Sequence, residues 1–177
     1  MAIHNLGRVR HPVSPNALHH RFPGDWKSAY PEARLCAPPG LQRKRKDLAF
    51  DVEPGDAPEG IWRADIDQAV VPGSFMLTEI MFFHCGSQTA LFADLIQNFR
   101  PDWFKGWHGL LARSGVVVTQ NPGAPSDWRS TFINRRAARI ALSRILAWPI
   151  EWVLIAHGDP APVNGAAIVR RALAWLL

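Results

Sequence analysis

Cysteine is scarce in this sequence: Cys36 and Cys85 are the only two among 177 residues. Two cysteines cannot build a disulfide framework, and neither has a partner at the spacing of a zinc knuckle. A reducing cytoplasm is therefore the expected compartment. Long apolar runs are missing as well. Nothing approaches the roughly 18 consecutive apolar residues of a membrane span, and residues 1–7 hold no apolar stretch of the kind that directs secretion. No internal repeat or low-complexity segment is visible. Acidic residues are the minority, 15 against 20 Lys and Arg, which leaves a net charge of +5. The basic excess gathers at residues 43–46, at Arg135, Arg136 and Arg139, and at Arg170 and Arg171. No aromatic-and-basic RNA motif or zinc finger accompanies it. Solvated surface is the expected role of these groups, and a nucleic-acid partner is not expected.

What remains is ordinary for a globular chain, with 47% hydrophobic and 20% charged residues. Eight tryptophans and nine phenylalanines predict a core rich in large aromatics. The length fits one domain over residues 1–177, with a sizeable core. Hydrophobic alternation predicts strands at 9–14, 33–37, 66–71, 75–84, 89–93 and 151–156. The pair 75–84 and 89–93, joined by Cys85-Gly86-Ser87, reads as a hairpin. Helices are expected at 25–30, at 102–113, as one long helix from Ser126 or Asp127 to Trp148, and from Val163 or Asn164 to the end. In the long helix Phe132, Ala138, Ala141, Leu142, Ile145 and Leu146 share one face. Residues 41–48 form a basic turn or short helix, 51–60 a Pro- and Gly-containing loop, 116–119 a short extended piece and 121–125 an irregular loop. The class is α/β.

Three stretches share one build, an apolar strand that ends in a residue able to ligate a metal. The first runs into Ser-Pro-Asn-Ala-Leu-His-His-Arg-Phe and ends at His19 and His20. The second ends at Asp94 and the third at His157. Side chains at the ends of neighbouring strands face one crevice in layered α/β proteins. Three imidazoles and a carboxylate suit one zinc or iron ion. Such an ion lowers the pKa of bound water and polarises an ester or amide oxygen. Asp159, after His157-Gly158, is placed to hold an imidazole tautomer. Glu79 stands inside an apolar strand, a costly position unless it is paired or serves the site. Each residue also has a plainer reading. A lone His after a strand is more often a surface residue than a ligand, and Asp94 could cap a turn. His84 is expected to be exposed, Cys36 and Cys85 to be buried or turn thiols, and Asn98 and His108 to have no role. The convergence of several such residues at strand ends is what favours a site.

The order of strand-end His cluster, strand-end Asp and strand followed by His-Gly resembles the metallo-β-lactamase superfamily. In particular it is similar to a branch of metallo-hydrolase-like bacterial proteins of unknown function. Residues 15–30, 31–41 and 89–99, the last reading Thr-Ala-Leu-Phe-Ala-Asp-Leu-Ile-Gln-Asn-Phe, carry most of the likeness. The resemblance implies an αβ/βα sandwich. The superfamily signature His-x-His-x-Asp-His falls on residues 15–20, where its first two histidines are Pro15 and Ala17. It therefore implies that one metal position is lost and that the other persists as a mononuclear site of His19, His20, Asp94 and His157. Glu79 is the nearest match by position for the remaining histidine. Glu79 and Asp159 are the expected outer or catalytic partners.

The His cluster comes early, so the first half of the sandwich is expected to be incomplete by roughly 50 residues of leading strands, judged from the usual size of a sheet. That would expose apolar surface and a sheet edge and favour self-association. The implied activity is hydrolysis of an ester, thioester or amide in a small molecule through one metal-bound hydroxide. The alternatives are a non-catalytic binding or structural descendant of the fold and a mononuclear non-haem iron oxidoreductase.

Overall fold

A computed structural model describes residues 3–100, 103, 122–161 and 164–177. The helix expected at 102–113, the extended piece at 116–119, His108, Asn121 and Val163 lie outside the described residues. Within them the chain is α/β, as expected, with one four-stranded sheet and five α-helices. The strands are β1 (Ile66–Val71), β2 (Glu79–His84), β3 (Thr89–Phe92) and β4 (Trp152–Ile155), in the spatial order β1-β2-β3-β4. β1 and β2 pair antiparallel, β2 and β3 form the expected hairpin, and β4 adds parallel to β3.

The helices are α1 (Pro23–Ala29), α2 (Leu41–Lys44), α3 (Ser126–Thr131), α4 (Arg135–Ile145) and α5 (Gly165–Ala172). Alternation along the strands sends Ala69, Val71, Met81, Phe83, Ala90, Phe92 and Val153 to one face. There they meet Ala138, Ala141, Leu142 and Ile145 of α4, and Val169 and Ala172 of α5. Trp148 stacks on Phe83 with ring centroids 5.3 Å apart, and its indole N–H donates to Asp67 Oδ2 at 2.8 Å. Residues 9–16 run along the opposite face. The peptide N–H of Ile80 donates to the Pro15 carbonyl at 2.8 Å, which ties that segment to the start of β2.

Three expectations change. The long helix from 126 to 148 is two helices. Between them Ser74 bridges Phe132, the Phe75 N–H donates to the Thr131 carbonyl, and the Asn134 side chain accepts from the Ala137 N–H to start α4 anew. Gly73, at φ +105°, permits this approach, because a side chain there would strike the Asn134 carbonyl. β2 begins at Glu79 rather than at 75, since the Ser74 hydroxyl binds the peptide N–H groups of Met76 and Leu77 in a turn. Segments 9–14 and 33–37 are extended but form only isolated bridges, Val13 to Cys36 and Cys36 to Val52. Among the described residues no helix is long and apolar enough to cross a membrane.

Candidate metal centre

The parallel pair β3–β4 sets the geometry. Its last registered partners are Phe92 and Ile155. Asp94 and His157 each follow two residues later, so two adjacent strands deliver a carboxylate and an imidazole to the same level. The turn after β4 is fixed by Asn98. Its N–H donates to the His157 carbonyl and its carbonyl accepts from the Asp159 N–H, both at 2.9 Å. Its side-chain amide also donates to the Asp159 carbonyl at 2.9 Å. Gly158 sits at φ +116°, and any Cβ there would run into the Asn98 backbone.

His19 arrives from the loop after Val13. Asn16 Oδ1 accepts from the peptide N–H groups of Leu18 at 2.9 Å and His19 at 3.3 Å. This turn, built on an Asn side chain, points the His19 ring at Asp94. His19 Nε2 lies 3.1 Å from Asp94 Oδ2, and His157 Nε2 lies 3.0 Å from Asp94 Oδ1. The two rings are 5.4 Å apart between centroids. One ligating atom from each of the three residues falls within 4.8 Å of the others. Both imidazoles are partly open to solvent while Asp94 is buried.

A second buried carboxylate lies behind the first. Glu79 is 2% exposed and accepts from the peptide N–H groups of Ala93, Asp94 and Leu95 at 2.9–3.3 Å. Asn16, fully buried, donates its amide both to Glu79 Oε2 at 3.1 Å and to Asp94 Oδ2 at 2.6 Å. Burial first, and the charge of Asp94 second, push the Glu79 carboxyl up to about 7 despite its amide donors. Burial alone would raise Asp94 too, but its bonds from His19 and Asn16 and the nearby imidazoles hold it below the usual carboxylate range. The bond to Asp94 raises His19 above an ordinary imidazole, against its partial burial.

The structure brings His19, Asp94 and His157 together, with Glu79 directly behind Asp94. His20 is not part of the group. Its carbonyl accepts from Arg45, its buried Nδ1 has no hydrogen-bond partner among the described residues, and desolvation and the nearby Lys44, Arg45 and Arg21 charges lower its pKa. Asp159 turns its carboxylate towards Arg100, 3.7 Å away. His84 is exposed and bonds Ser87 at 2.7 Å. Cys36 is buried and Cys85 exposed in the hairpin turn. Asn16 and Asn98 were not among the expected site residues. Pro-Asn after a strand is a turn signal that could have drawn attention to Asn16; Asn98 carried no comparable mark.

The donor set suits a divalent ion, with two imidazole nitrogens and one carboxylate oxygen within 4.8 Å of one another. No family model and no curated protein matches the chain. Solved structures do. The DIM-1 metallo-β-lactamase exposed to ceftazidime matches with a TM-score of 0.54 at 14% identity over 92% of this chain and 66% of its own. A metallo-β-lactamase from Hirschia baltica gives 0.55 at 11% over 94% and 68%. The metal-soaked Flv1 flavodiiron core from Synechocystis sp. PCC6803 gives 0.60 at 14% over 94% and 43%. The chain thus has the metallo-β-lactamase superfamily fold. It spans about two thirds of the lactamases it matches and less than half of the flavodiiron core.

Proposed function

We propose that residues 1–177 act as one metallo-hydrolase-like domain that binds a single zinc or iron ion through His19, Asp94 and His157 and cleaves an ester, thioester or amide of a small molecule. The observation that supports this most is the meeting of two imidazole Nε2 atoms on the two oxygens of one buried carboxylate, at the ends of adjacent parallel strands. A bound ion would supply Lewis-acid polarisation of the substrate carbonyl and of water.

The protein's own groups do the rest. Asp94 contributes the negative charge that offsets the ion. The Asn16 amide orients that carboxylate, and the peptide N–H of Asp94, bound to Glu79, fixes the backbone that carries it. The loop at Asn16 and the turn at Asn98 hold the two rings at one distance. Both rings keep a partly solvated side, which leaves an approach for substrate. In this reading Glu79 acts through Asp94, and Asp159 through the turn that carries His157. His20 is not proposed as a ligand.

The test is metal content and affinity. Protein purified after growth with zinc and iron supplied is expected to retain about one ion per chain. His19→Ala and His157→Ala should each weaken zinc binding at least tenfold in calorimetry while the fold survives. A wild-type sample that takes up neither ion would sink the proposal and favour a non-catalytic role. An iron-dependent oxidoreductase is the second reading, favoured by a donor set that lacks thiolate and suits iron(II) as well as zinc. Oxygen uptake by the iron-loaded protein distinguishes it.

A further inference from the structure

Residues 43–46, the basic run expected at the solvated surface, divide into two kinds. Arg43 and Lys46 are exposed, and their side chains have no hydrogen-bond or ionic partner among the described residues. Lys44 and Arg45 turn towards the loop that carries His19. Lys44 Nζ donates to the Ala17 carbonyl at 3.0 Å. Arg45 Nη1 donates to the carbonyls of His20 and Arg21, the latter at 3.4 Å. Asp47 holds the rest of the guanidinium: Nε and Nη2 donate to its two carboxylate oxygens at 2.8 and 2.7 Å. Such a two-point bond fixes the plane of the guanidinium and so the direction of Nη1. The Arg45 side chain is only 18% exposed. The segment beneath these side chains is braced as well. Leu41, fully buried, anchors α2. The Gln42 side-chain amide donates to the Leu48 carbonyl at 2.7 Å, and its oxygen accepts from the Phe50 N–H at 3.2 Å.

Residues 17–21 belong to no helix or strand, so no ladder of their own satisfies their peptide groups. Side chains do so instead. Asn16 Oδ1 takes the N–H groups of Leu18 and His19, and the two cations take the carbonyls of Ala17, His20 and Arg21. His19 thus stands inside a span whose peptide groups are tied on both sides. We propose that Lys44 and Arg45 are positioning residues for His19: by holding those three carbonyls they present its ring, and not that of His20, to Asp94. The inference rests on the metal reading above for its effect on ion binding. Charge and geometry predict opposite signs for that effect. Lys44 and Arg45 are cations near a cation site, so by charge alone their removal tightens zinc binding, and only weakly in water and salt. As positioning residues their removal loosens it, because His19 must then be ordered at the expense of binding.

The test is zinc calorimetry on the full chain. Lys44→Met should weaken zinc binding about three- to tenfold and Arg45→Met about tenfold, the factors that follow from losing one or two ordinary hydrogen bonds. Lys44→Arg keeps a donor and should stay within about twofold of wild type. Arg43→Met and Lys46→Met remove the same charge without touching the loop, and should leave binding unchanged or slightly tighter. In a His19→Ala background Arg45→Met should change zinc affinity by less than about twofold, because it acts through that ring. In the metal-free protein, hydrogen exchange at the Leu18 and His19 peptides should quicken about tenfold in Arg45→Met and stay at the wild-type rate in Arg43→Met. Lys44 is exposed, so Lys44→Met carries the test should Arg45→Met fail to fold. Zinc held as tightly by Lys44→Met and Arg45→Met as by wild type overturns the proposal and leaves the metal reading standing. So does an equal loss in the His19→Ala background, which marks a general effect on the fold. If wild type takes up no zinc, the metal reading falls by itself. Unchanged exchange at Leu18 and His19 then overturns the positioning role too, and faster exchange in Arg45→Met upholds it.

Discussion

Replacing Asn16 with alanine is the most discriminating perturbation of this site. The Asn16 amide stands between two buried carboxylates and donates to both, while its carbonyl oxygen holds the turn that aims His19. Hydrogen bonds to charged groups contribute about 1.5–3 kcal/mol each. Losing two of them, with Glu79 and Asp94 left facing each other, predicts a loss of about 4 kcal/mol in the metal-free protein at pH 7.5. For a chain of this size the melting temperature should fall by roughly 8–16 °C. The loss should shrink near pH 5.5, because Glu79, already raised to about 7, can take a proton and donate it to Asp94. Asn16→Asp has the same shape but puts a third acceptor where a donor is needed. It should be worse than alanine at pH 8 and recover as the solution is acidified. Asn16→Ser keeps one donor and should fall between alanine and wild type. Zinc affinity should weaken about 10- to 100-fold, since the amide orients the carboxylate proposed as a ligand. Thermal melts followed by circular dichroism, with and without zinc, decide the matter. An alanine variant within 1 kcal/mol of wild type, or an aspartate variant fully stable at pH 8, would refute the reasoning.

Glu79 gives the metal-free protein a pH dependence of known sign. Its folded-state carboxyl, near 7 against an ordinary 4.5, binds a proton more tightly than the unfolded chain does. Its contribution is fully present below about pH 4.5 and is lost as the pH rises through 7, a change of about 3 kcal/mol. His19, also raised, acts in the same direction, whereas Asp94, lowered, acts oppositely at more acid pH. Urea titrations from pH 4.5 to 8 should show this slope in wild type and much less of it in Glu79→Gln; equal slopes would argue against a strained carboxyl. Gly158→Ala should destabilise by more than about 2 kcal/mol, from left-handed backbone strain and the collision with Asn98, and should weaken zinc binding by displacing His157. Thermal melts and zinc titration of that variant provide the check. Thiol titration with a chromogenic disulfide at pH 8 should find Cys85 fast and Cys36 slow, because burial pushes the Cys36 thiol up to about 11. Two equally fast thiols would contradict the packing of residues 33–37.

Much of the scaffold was legible because its signals are local. The alternation in residues 66–71 and 89–92, the Cys85-Gly86-Ser87 turn and the apolar face of α4 each depend on neighbours within a turn or a strand. So did the placement of Asp94 and His157 just beyond strands. The break at residues 132–134 was not legible, since it depends on Ser74 and Gly73, about 60 residues away in sequence. Nor was the role of Glu79, whose partners are peptide N–H groups that no side-chain identity reveals.

By itself, then, the sequence determined an α/β chain with ligand-type residues just beyond two strands, Asp94 and His157, and a His pair on a loop that it read as a third strand end, because periodicity and residue chemistry are written position by position. It left His19 and His20 equivalent, as adjacent imidazoles on one loop. Only the tertiary structure separated them: the Asn16 turn directs one ring to a buried carboxylate, while the other lies among Lys44, Arg45 and Arg21. That choice follows from which distant segments pack on either side of the loop, and contacts between distant segments leave no pattern in the order of residues.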